Sequence, residues 1–364
     1  MTLHFYIARR FFNAFILVLM ALSSIFIMLD MVENIRKFGG AISVVDAAWL
    51  TFLNMPASMY TLLPLVVILA TLLMFLGFSR SSEMVVTRAA GRPALLTLVA
   101  PAGLVFVMGV LGLLILNPIA AATSKQYKYL VAQVHGGEAS VFSLSSEGLW
   151  LRQGDENGQT VIRAEATGPD GTELFGVSFH SFSTGGSPTL RVNAESARLE
   201  AGRWALHNAK IWDLSDLTNP ERVAVETPAY WIATTLTIDQ IRDSFGKPSA
   251  IAIWDMPAYI EQLKQAGFSP RRHQVWFQSE LSSPLFLVAM MLIGAAFTMR
   301  HTRLGNTGIM ALIALIFGFG IYFIRNFATI LGENGQIPVM VAAWTPPIAA
   351  MLLALGIILH LEDG

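Results

Sequence analysis

The sequence contains no cysteine, and this absence excludes several kinds of chemistry. The chain can form no disulfide framework, no thiolate nucleophile and no cysteine-ligated zinc site. Charged residues are also scarce, at 13% of the chain, against about a quarter in an average soluble domain. Because the formal net charge is −1 and no block of like charge is present, we do not expect a nucleic-acid-binding surface.

Motifs for nucleotide binding and hydrolysis are missing as well. The P-loop pattern G-x-x-x-x-G-K-[ST] does not occur, and the Gly246–Lys247 pair is followed by proline. The patterns H-E-x-x-H and G-x-S-x-G are absent, and the seven histidines are scattered. We therefore expect a chain that is not an enzyme and that has no catalytic residue, metal ligand set or cofactor of its own.

Six long apolar runs account for much of the 54% hydrophobic content. Each is close to the roughly 20 residues that a helix needs to cross a bilayer. The first run is too long for a signal peptide and lacks a small-x-small cleavage site, so we expect it to stay as an anchor. The pattern predicts an α-helical polytopic membrane protein with six transmembrane helices, over 11–31, 56–78, 95–118, 275–299, 307–331 and 339–360.

Arginines in the short connecting segments predict the orientation of these helices. Short cytoplasmic loops carry an excess of Lys and Arg, and seven arginines next to the predicted helices fall on one side, against Arg36, Arg271 and Arg272 on the other. Both termini are then cytoplasmic, and the stretch 119–273 lies on the opposite side of the membrane. The arginines concerned are Arg9, Arg10, Arg80, Arg88, Arg92, Arg300 and Arg303.

The stretch 119–273 has a different pattern, in which apolar and polar residues alternate with period two. Turn clusters such as GDENG, GPDGT and STGGSP separate the alternating pieces. This pattern predicts an inserted all-β domain, jelly-roll-like. We thus expect helices one to three in 1–118, the β domain in 119–273, and helices four to six in 274–364.

Two local patterns carry further structural expectations. In WALHNAKIW, period two places Trp204, Leu206 and Trp212 on one face of a strand and Ala209 on the other. In SVVDAAWLTFL, the apolar residues lie on one helical face. That segment is either an interfacial helix or an early start of the second transmembrane helix.

A short charged stretch, SRSSEMVVTRAAGRPA, follows the second apolar run. Ser81 can cap a helix over about 81–91, with Glu83 favoured in its first turn and Gly91 at its end. The helix is either a plain connector at the lipid headgroups or a rigid element with a close-packing apolar strip. In the second interpretation it couples to an ATPase through Glu83, Val85, Val86, Arg88, Ala89, Ala90 and Gly91.

Four separated motifs occur in one order along the whole chain. They are SSEMVVTRAAG, SSEGLWLR, LSDLTNPERV and YIEQLKQAG. With these motifs the chain resembles the lipopolysaccharide export permeases of the LptF/LptG family. The resemblance implies six helices, a periplasmic β-jelly-roll, and a coupling helix that matches the segment from Glu83 to Gly91.

The resemblance also implies an assembly and a location. Its expected partners are an LptF-like second permease, an LptB-like ATPase dimer that binds ATP and Mg²⁺, an LptC-like bitopic protein and an LptA-like periplasmic bridge. Lipopolysaccharide would be extracted from the outer leaflet of the Gram-negative inner membrane. The resemblance leaves open whether this β domain carries lipid directly or supports assembly.

Two other functions remain open at this stage. The chain could be the permease of another envelope lipid or lipoprotein exporter that also recruits a separate ATPase. It could also be an envelope sensor or scaffold whose β domain binds a partner, although anchoring alone does not require six helices with charges inside them.

Lipid A carries phosphates at the headgroup level, and four cations are predicted on the same outer side. Arg36, Lys37, Arg271 and Arg272 are therefore candidate lipopolysaccharide contacts. Arg36 and Lys37 rank first, because they follow the first helix, where the family lines its cavity. The alternative is that these side chains meet ordinary anionic lipid or solvent.

Two opposite charges lie within predicted transmembrane helices at matching depths. Glu280 and Arg325 are each about 8 to 9 Å from the outer end of their helix, at 1.5 Å per residue. Because an ionised side chain facing lipid is costly, we expect the two to pair. Alternatively, Arg325 binds a lipid phosphate while Glu280 meets Gln278 or water, and Asp30 is another candidate partner.

Overall fold

The structure is a computed structural model. It describes residues 2–39, 42–81, 83, 93–134, 142–145, 148–155, 158–167, 172–214, 220–234, 236, 248–265, 269–299 and 307–363. The chain divides into a helical unit and a sheet unit. The helical unit comprises Met1–Val134, Ser249–Trp254 and Arg271–Gly364, and the sheet unit comprises His135–Pro248 and Asp255–Pro270.

The described residues include nine α-helices. In chain order they are α1 (Thr2–Phe38), α2 (Val44–Arg80), α3 (Ala94–Leu111), α4 (Asn117–Val134), α5 (Met256–Gln265), α6 (Arg271–Leu281), α7 (Ser283–Thr298), α8 (Thr307–Glu333) and α9 (Val339–Asp363).

The helical unit agrees with the predicted polytopic membrane protein. Among the described residues, five continuous helical stretches are long and apolar enough to cross a membrane, and α6 with α7 forms a sixth if this bent pair is one span. The fold class inferred from the apolar runs, helices with an inserted β domain, is confirmed.

The first two helices are longer than a bilayer requires. Each has 37 residues, or about 55 Å at 1.5 Å per residue, against a hydrocarbon core of about 30 Å. Ser43 caps α2: its hydroxyl accepts from the backbone N–H of Asp46, whose carboxylate accepts from the Ser43 backbone. The segment after Ser43 is therefore the early start of the second helix.

The third transmembrane helix continues well past its predicted end. A π-helical segment, Gly112–Leu116, joins α3 to α4, which ends at Val134. Pro118 has no N–H for the carbonyl four residues earlier, and a π-bulge is one way for a helix to accommodate such a break. The two units thus divide at 134/135 instead of the expected 118/119, and the first residues of α6 belong to the helical unit.

Helix α7 is central in the helical unit, where α2, α3, α8 and α9 pack around it. Nearly all of its residues are buried, as expected for a helix that is apolar all round. The first turn of α7 lies directly against α3. A Cβ on Gly109 of α3 would lie 2.7 Å from Cα of Pro284, so this approach requires glycine.

In the part of the sheet unit that the structure describes, seven antiparallel strands lie in the order β1 to β7, each paired with its neighbour in the chain. One face and α5 enclose an apolar core that includes Trp204, Phe179 and Leu263. The strands are β1 (Phe142–Ser145), β2 (Gly148–Asp155), β3 (Gly158–Thr167), β4 (Glu173–Ser183), β5 (Pro188–Glu200), β6 (Arg203–Asp213) and β7 (Val225–Ala233).

Strand β6 does not keep strict period two along its length. Trp204, Leu206 and Ala209 are buried in the core, whereas the indole of Trp212 stacks with Arg191 and donates to Glu221 at 2.6 Å. The expected shared face of Trp204 and Trp212 is therefore wrong. Asn208 has a positive φ of 50°, a conformation that asparagine tolerates, and it shifts the alternation by one residue.

Replacing Trp204 with alanine should destabilise the sheet unit. Trp204 is fully buried and packs edge-on against Phe179, so we expect a loss of about 3–5 kcal/mol in unfolding free energy. Trp231→Ala is the matched control, because Trp231 is 56% exposed and stacks with Arg203, a contact of about 1 kcal/mol. Chemical denaturation of the purified proteins, followed by tryptophan fluorescence, measures both. Equal losses would contradict the assigned core.

Candidate functional site

A cavity of about 190 Å³ with several polar side chains in its lining lies among the helices of the helical unit. Residues of α2, α6, α7 and α8 line it, together with Gly109 of α3. Its lining includes Glu280 and Arg325, two of the charged residues that the sequence places within transmembrane helices. The lining side chains with hydrogen-bonding groups include Tyr60, Ser279, Glu280, Ser283, Arg325 and Asn326.

Glu280 of α6 is held by donors from two other helices. The hydroxyl of Tyr60 on α2 donates to Oε2 of Glu280, and the side chain of Asn117 at the start of α4 also hydrogen-bonds this carboxylate. Asn117 in turn accepts from the backbone N–H of Ile253 at 3.0 Å. The carboxylate thus ties α6 to α2 and α4 in a partly buried position.

Arg325 of α8 contacts the same part of α6 from another direction. Its Nη2 donates to the Ser279 carbonyl at 3.0 Å, and its guanidinium carbon lies 4.5 Å from the ring centroid of Phe286. Glu280 and Arg325 line one cavity and attract each other electrostatically, but their hydrogen bonds go to other groups. A direct ion pair between them stays a prediction.

The other candidate partners of Glu280, Gln278 and Asp30, form hydrogen bonds with other residues. Gln278 accepts from the indole N–H of Trp344 at 3.1 Å. Asp30 accepts from the side-chain amides of Asn34 at 3.0 Å and Asn54 at 2.9 Å. Asp30 therefore belongs to a second polar cluster, which joins α1 to α2.

Among the predicted lipid contacts, Arg36 and Lys37 lie at the end of α1. The guanidinium of Arg36 is 2.7 Å from the carboxylate of Glu33, and its side chain is 76% exposed. The ammonium of Lys37 lies 5.4 Å from the ring centroid of Phe38. Both cations remain accessible to an anionic ligand in the isolated chain.

Arg271 donates hydrogen bonds to backbone carbonyls, whereas Arg36 pairs with a carboxylate. Its Nε donates to the Gly332 carbonyl and its Nη2 to the Ile337 carbonyl, both at 2.6 Å. The guanidinium thus occupies the C-terminal end of α8, where a helix dipole favours a cation. Arg272 is close enough to Glu333 to attract its carboxylate.

Of the predicted coupling residues, the structure describes Glu83. Its Oε2 accepts from the Tyr6 hydroxyl at 3.0 Å, and its Oε1 lies 3.8 Å from Nη2 of Arg10. The Ser81 hydroxyl also donates to Glu83 at 2.8 Å. The remaining predicted coupling residues lie outside the described residues: Val85, Val86, Arg88, Ala89, Ala90 and Gly91.

The sequence interpretation missed the neutral partners of the charged groups. Tyr60 and Asn117 are polar interruptions of long apolar runs, and this feature could have marked them as interior donors. Phe286 and the Ser279 carbonyl leave no such signal, because an apolar ring and a backbone group are ordinary parts of any transmembrane helix.

These features define a class of protein: a multi-pass helical membrane protein with an inserted antiparallel sheet and a charged cavity among its helices. A model of the lipopolysaccharide export system permease LptF/LptG family matches residues 5–360, and the chain belongs to this family. It is therefore a permease of a lipopolysaccharide export system, which confirms the resemblance of the motifs at the level of the family. A comparison with curated proteins gives no match.

Removing the hydroxyl of Tyr60 should weaken the helical unit. Tyr60→Phe takes a donor from the Glu280 carboxylate, and hydrogen bonds to charged groups typically contribute about 1.5–3 kcal/mol. We expect a lower thermal midpoint for the purified protein in detergent. Tyr129→Phe is the matched control, because Tyr129 is 57% exposed and the same atom is removed. Equal midpoints for both variants would argue against the Tyr60–Glu280 contact.

Proposed function

We propose that the chain is the LptG-type permease subunit of an ATP-driven ABC exporter. This exporter extracts lipopolysaccharide from the outer leaflet of the inner membrane and passes it to a periplasmic bridge. The observation that carries the proposal is the family match over 5–360, which covers the helical unit and the sheet unit together. The choice of the LptG branch is part of the proposal, because the family match covers LptF and LptG alike.

The proposed location is the inner membrane of a Gram-negative bacterium. Both termini are cytoplasmic and the sheet unit is periplasmic in this proposal. The support is the placement of arginine in the short connections, at Arg80, Arg88, Arg92, Arg300 and Arg303, under the positive-inside rule.

The chain requires partners for this function. The proposed partners are an LptF-like permease, an LptB-like ATPase dimer, an LptC-like bitopic protein and an LptA-like bridge. The ATPase dimer binds ATP and Mg²⁺, since the chain has no P-loop sequence. The two permeases enclose the cavity that receives the lipid.

Coupling to the ATPase is proposed for the segment that begins at Glu83. The support within the structure is the link from Glu83 to Tyr6 and Arg10 on α1. Because Ser81 at the end of α2 also binds Glu83, two transmembrane helices contact the first residue of the coupling segment. A displacement of either helix by the lipid can therefore reach the segment that docks on the ATPase.

The proposed lipid-phosphate contacts are ordered by their accessibility. Arg36 and Lys37 come first, since both are at the end of α1 and neither is bound to a backbone carbonyl in the described contacts. Arg272 follows. Arg271 has donors already directed at two carbonyls, so a phosphate would have to compete with these hydrogen bonds.

Purification with candidate partners tests the proposed function. The tagged chain is co-expressed with a second permease and an ATPase of the same cell, and the complex is examined by native mass spectrometry. We expect two permeases, two ATPase copies and bound lipopolysaccharide. A different bound lipid indicates another envelope exporter, and the absence of an ATPase indicates a sensor or scaffold; either result would contradict the proposal.

The topology can be measured by cysteine labelling, because the parent chain has no cysteine. We expect Gly185→Cys, in the exposed turn between β4 and β5, to react with an impermeant maleimide in cells with a permeabilised outer membrane. Ser82→Cys should react only after the inner membrane is opened, since it lies on the arginine-rich side. Labelling of both variants before that step would refute the orientation.

The coupling segment can be tested by enlarging one small side chain. Ala89→Trp should overfill a groove that accepts only a small residue and should lower lipid-stimulated ATPase activity at least tenfold, while membrane insertion is retained. Thr87→Trp, on the opposite face of the same predicted helix, is the matched control. Full activity of the Ala89→Trp complex would show that the segment is only a connector.

A further inference from the structure

The fourth transmembrane span is bent by 51° between α6 and α7. Pro284, in the first turn of α7, has no N–H to donate to the carbonyl of Glu280 four residues earlier. Ser282, between the two helices, is completely buried. The bend therefore lies in the interior of the helical unit, where backbone groups need partners within the protein.

A backbone carbonyl of helix α9 accepts a hydrogen bond from Ser282 at the bend. Pro347 has no N–H for the carbonyl of Ala343, so this carbonyl lacks its normal helical donor. The hydroxyl of Ser282 lies 2.8 Å from that carbonyl and 3.0 Å from the Ser279 carbonyl. Ser282 thus donates to the α9 carbonyl that Pro347 leaves without a helical donor.

Arg325 of α8 contacts both sides of the bend. Its Nη2 donates to the Ser279 carbonyl in the last turn of α6, and its guanidinium lies over the ring of Phe286 in the first turn of α7. The planar guanidinium is suited to donate in its plane and to stack on a ring with its face. One side chain therefore connects the two arms of the bent span.

The charges around the bend favour this arrangement. The C-terminal end of α6 carries a partial negative charge, which attracts a cation. The carboxylate of Glu280 lines the same cavity and attracts Arg325. A lipid phosphate that approached Arg325 would meet this carboxylate and the α6 terminus, which repel an anion.

We propose that Arg325 is a positioning residue that braces the bend between α6 and α7, and that it is not a lipid-phosphate ligand. The brace fixes the direction of α6 relative to the central helix α7. Glu280 is the counterion, and its bond to Tyr60 holds the same turn of α6 against α2. The role requires no particular transported lipid, so it stands independently of the proposed function.

Distances between spin labels test the brace. Gln274→Cys on α6 and Val107→Cys on α3 provide labelling sites in the cysteine-free chain. Gln274 is about 12 Å from the bend, and complete straightening through 51° would move it by about 10 Å. We expect Arg325→Met to broaden the distance distribution and shift its mean by several ångströms, with lipid absent.

Three further variants give the test its controls. Arg325→Lys keeps the charge but cannot donate in plane and stack at once, so we expect a distribution between those of the parent and Arg325→Met. Arg9→Met removes an exposed cation near the start of α1 and should leave the distribution unchanged. If Arg325→Met does not fold, the double variant Glu280→Gln/Arg325→Met removes both charges and should restore folding but still broaden the distribution.

A parent-like distance distribution in a folded Arg325→Met or Glu280→Gln/Arg325→Met protein would overturn the proposal. If the Arg325→Met protein also loses co-purified lipopolysaccharide at least tenfold, Arg325 is a lipid ligand instead. Broadened distances with unchanged lipid content support the brace.

Discussion

The structure of the helical unit depends on one constraint: a bilayer offers few hydrogen-bonding partners. A carbonyl freed by proline must be satisfied from within the protein, and the transmembrane helices of this chain contain several prolines. At the bend between α6 and α7, Ser282 and Arg325 supply donors to carbonyls of α6 and α9. Neighbouring helices are therefore joined at the positions where one helix lacks a backbone hydrogen bond.

The few charged side chains inside the helical unit are likewise held by hydrogen-bond partners from within the protein. Asp30 is held by amides from α1 and α2, and Glu280 is held by donors from α2 and α4. Polar contacts between helices are effective within a membrane, because lipid offers no competing partner. With only 13% charged residues in the chain, these partly buried carboxylates connect helices, whereas Arg36 is exposed and pairs with Glu33.

Family membership and this architecture together describe a permease whose helices are joined at a small number of polar points. The link from Glu83 to α1 and the contacts around Glu280 lie in different parts of the helical unit. Helix α2 takes part in both regions, through Tyr60 in one and Ser81 just beyond its end in the other. Helix α2 is therefore common to the contacts around Glu280 and the contacts of Glu83.

The sequence by itself determined the membrane class, the inserted sheet and the family, because apolar length, period-two alternation and ordered motifs are properties of the chain alone. It also placed Glu280 and Arg325 at one depth. Tertiary structure decided their hydrogen-bonding partners, since the Ser279 carbonyl and the Phe286 ring reach Arg325 only through packing of α6, α7 and α8. Likewise, the positive φ of Asn208 moved Trp212 to the other face of β6, a change that strand periodicity does not encode because it depends on a single backbone angle.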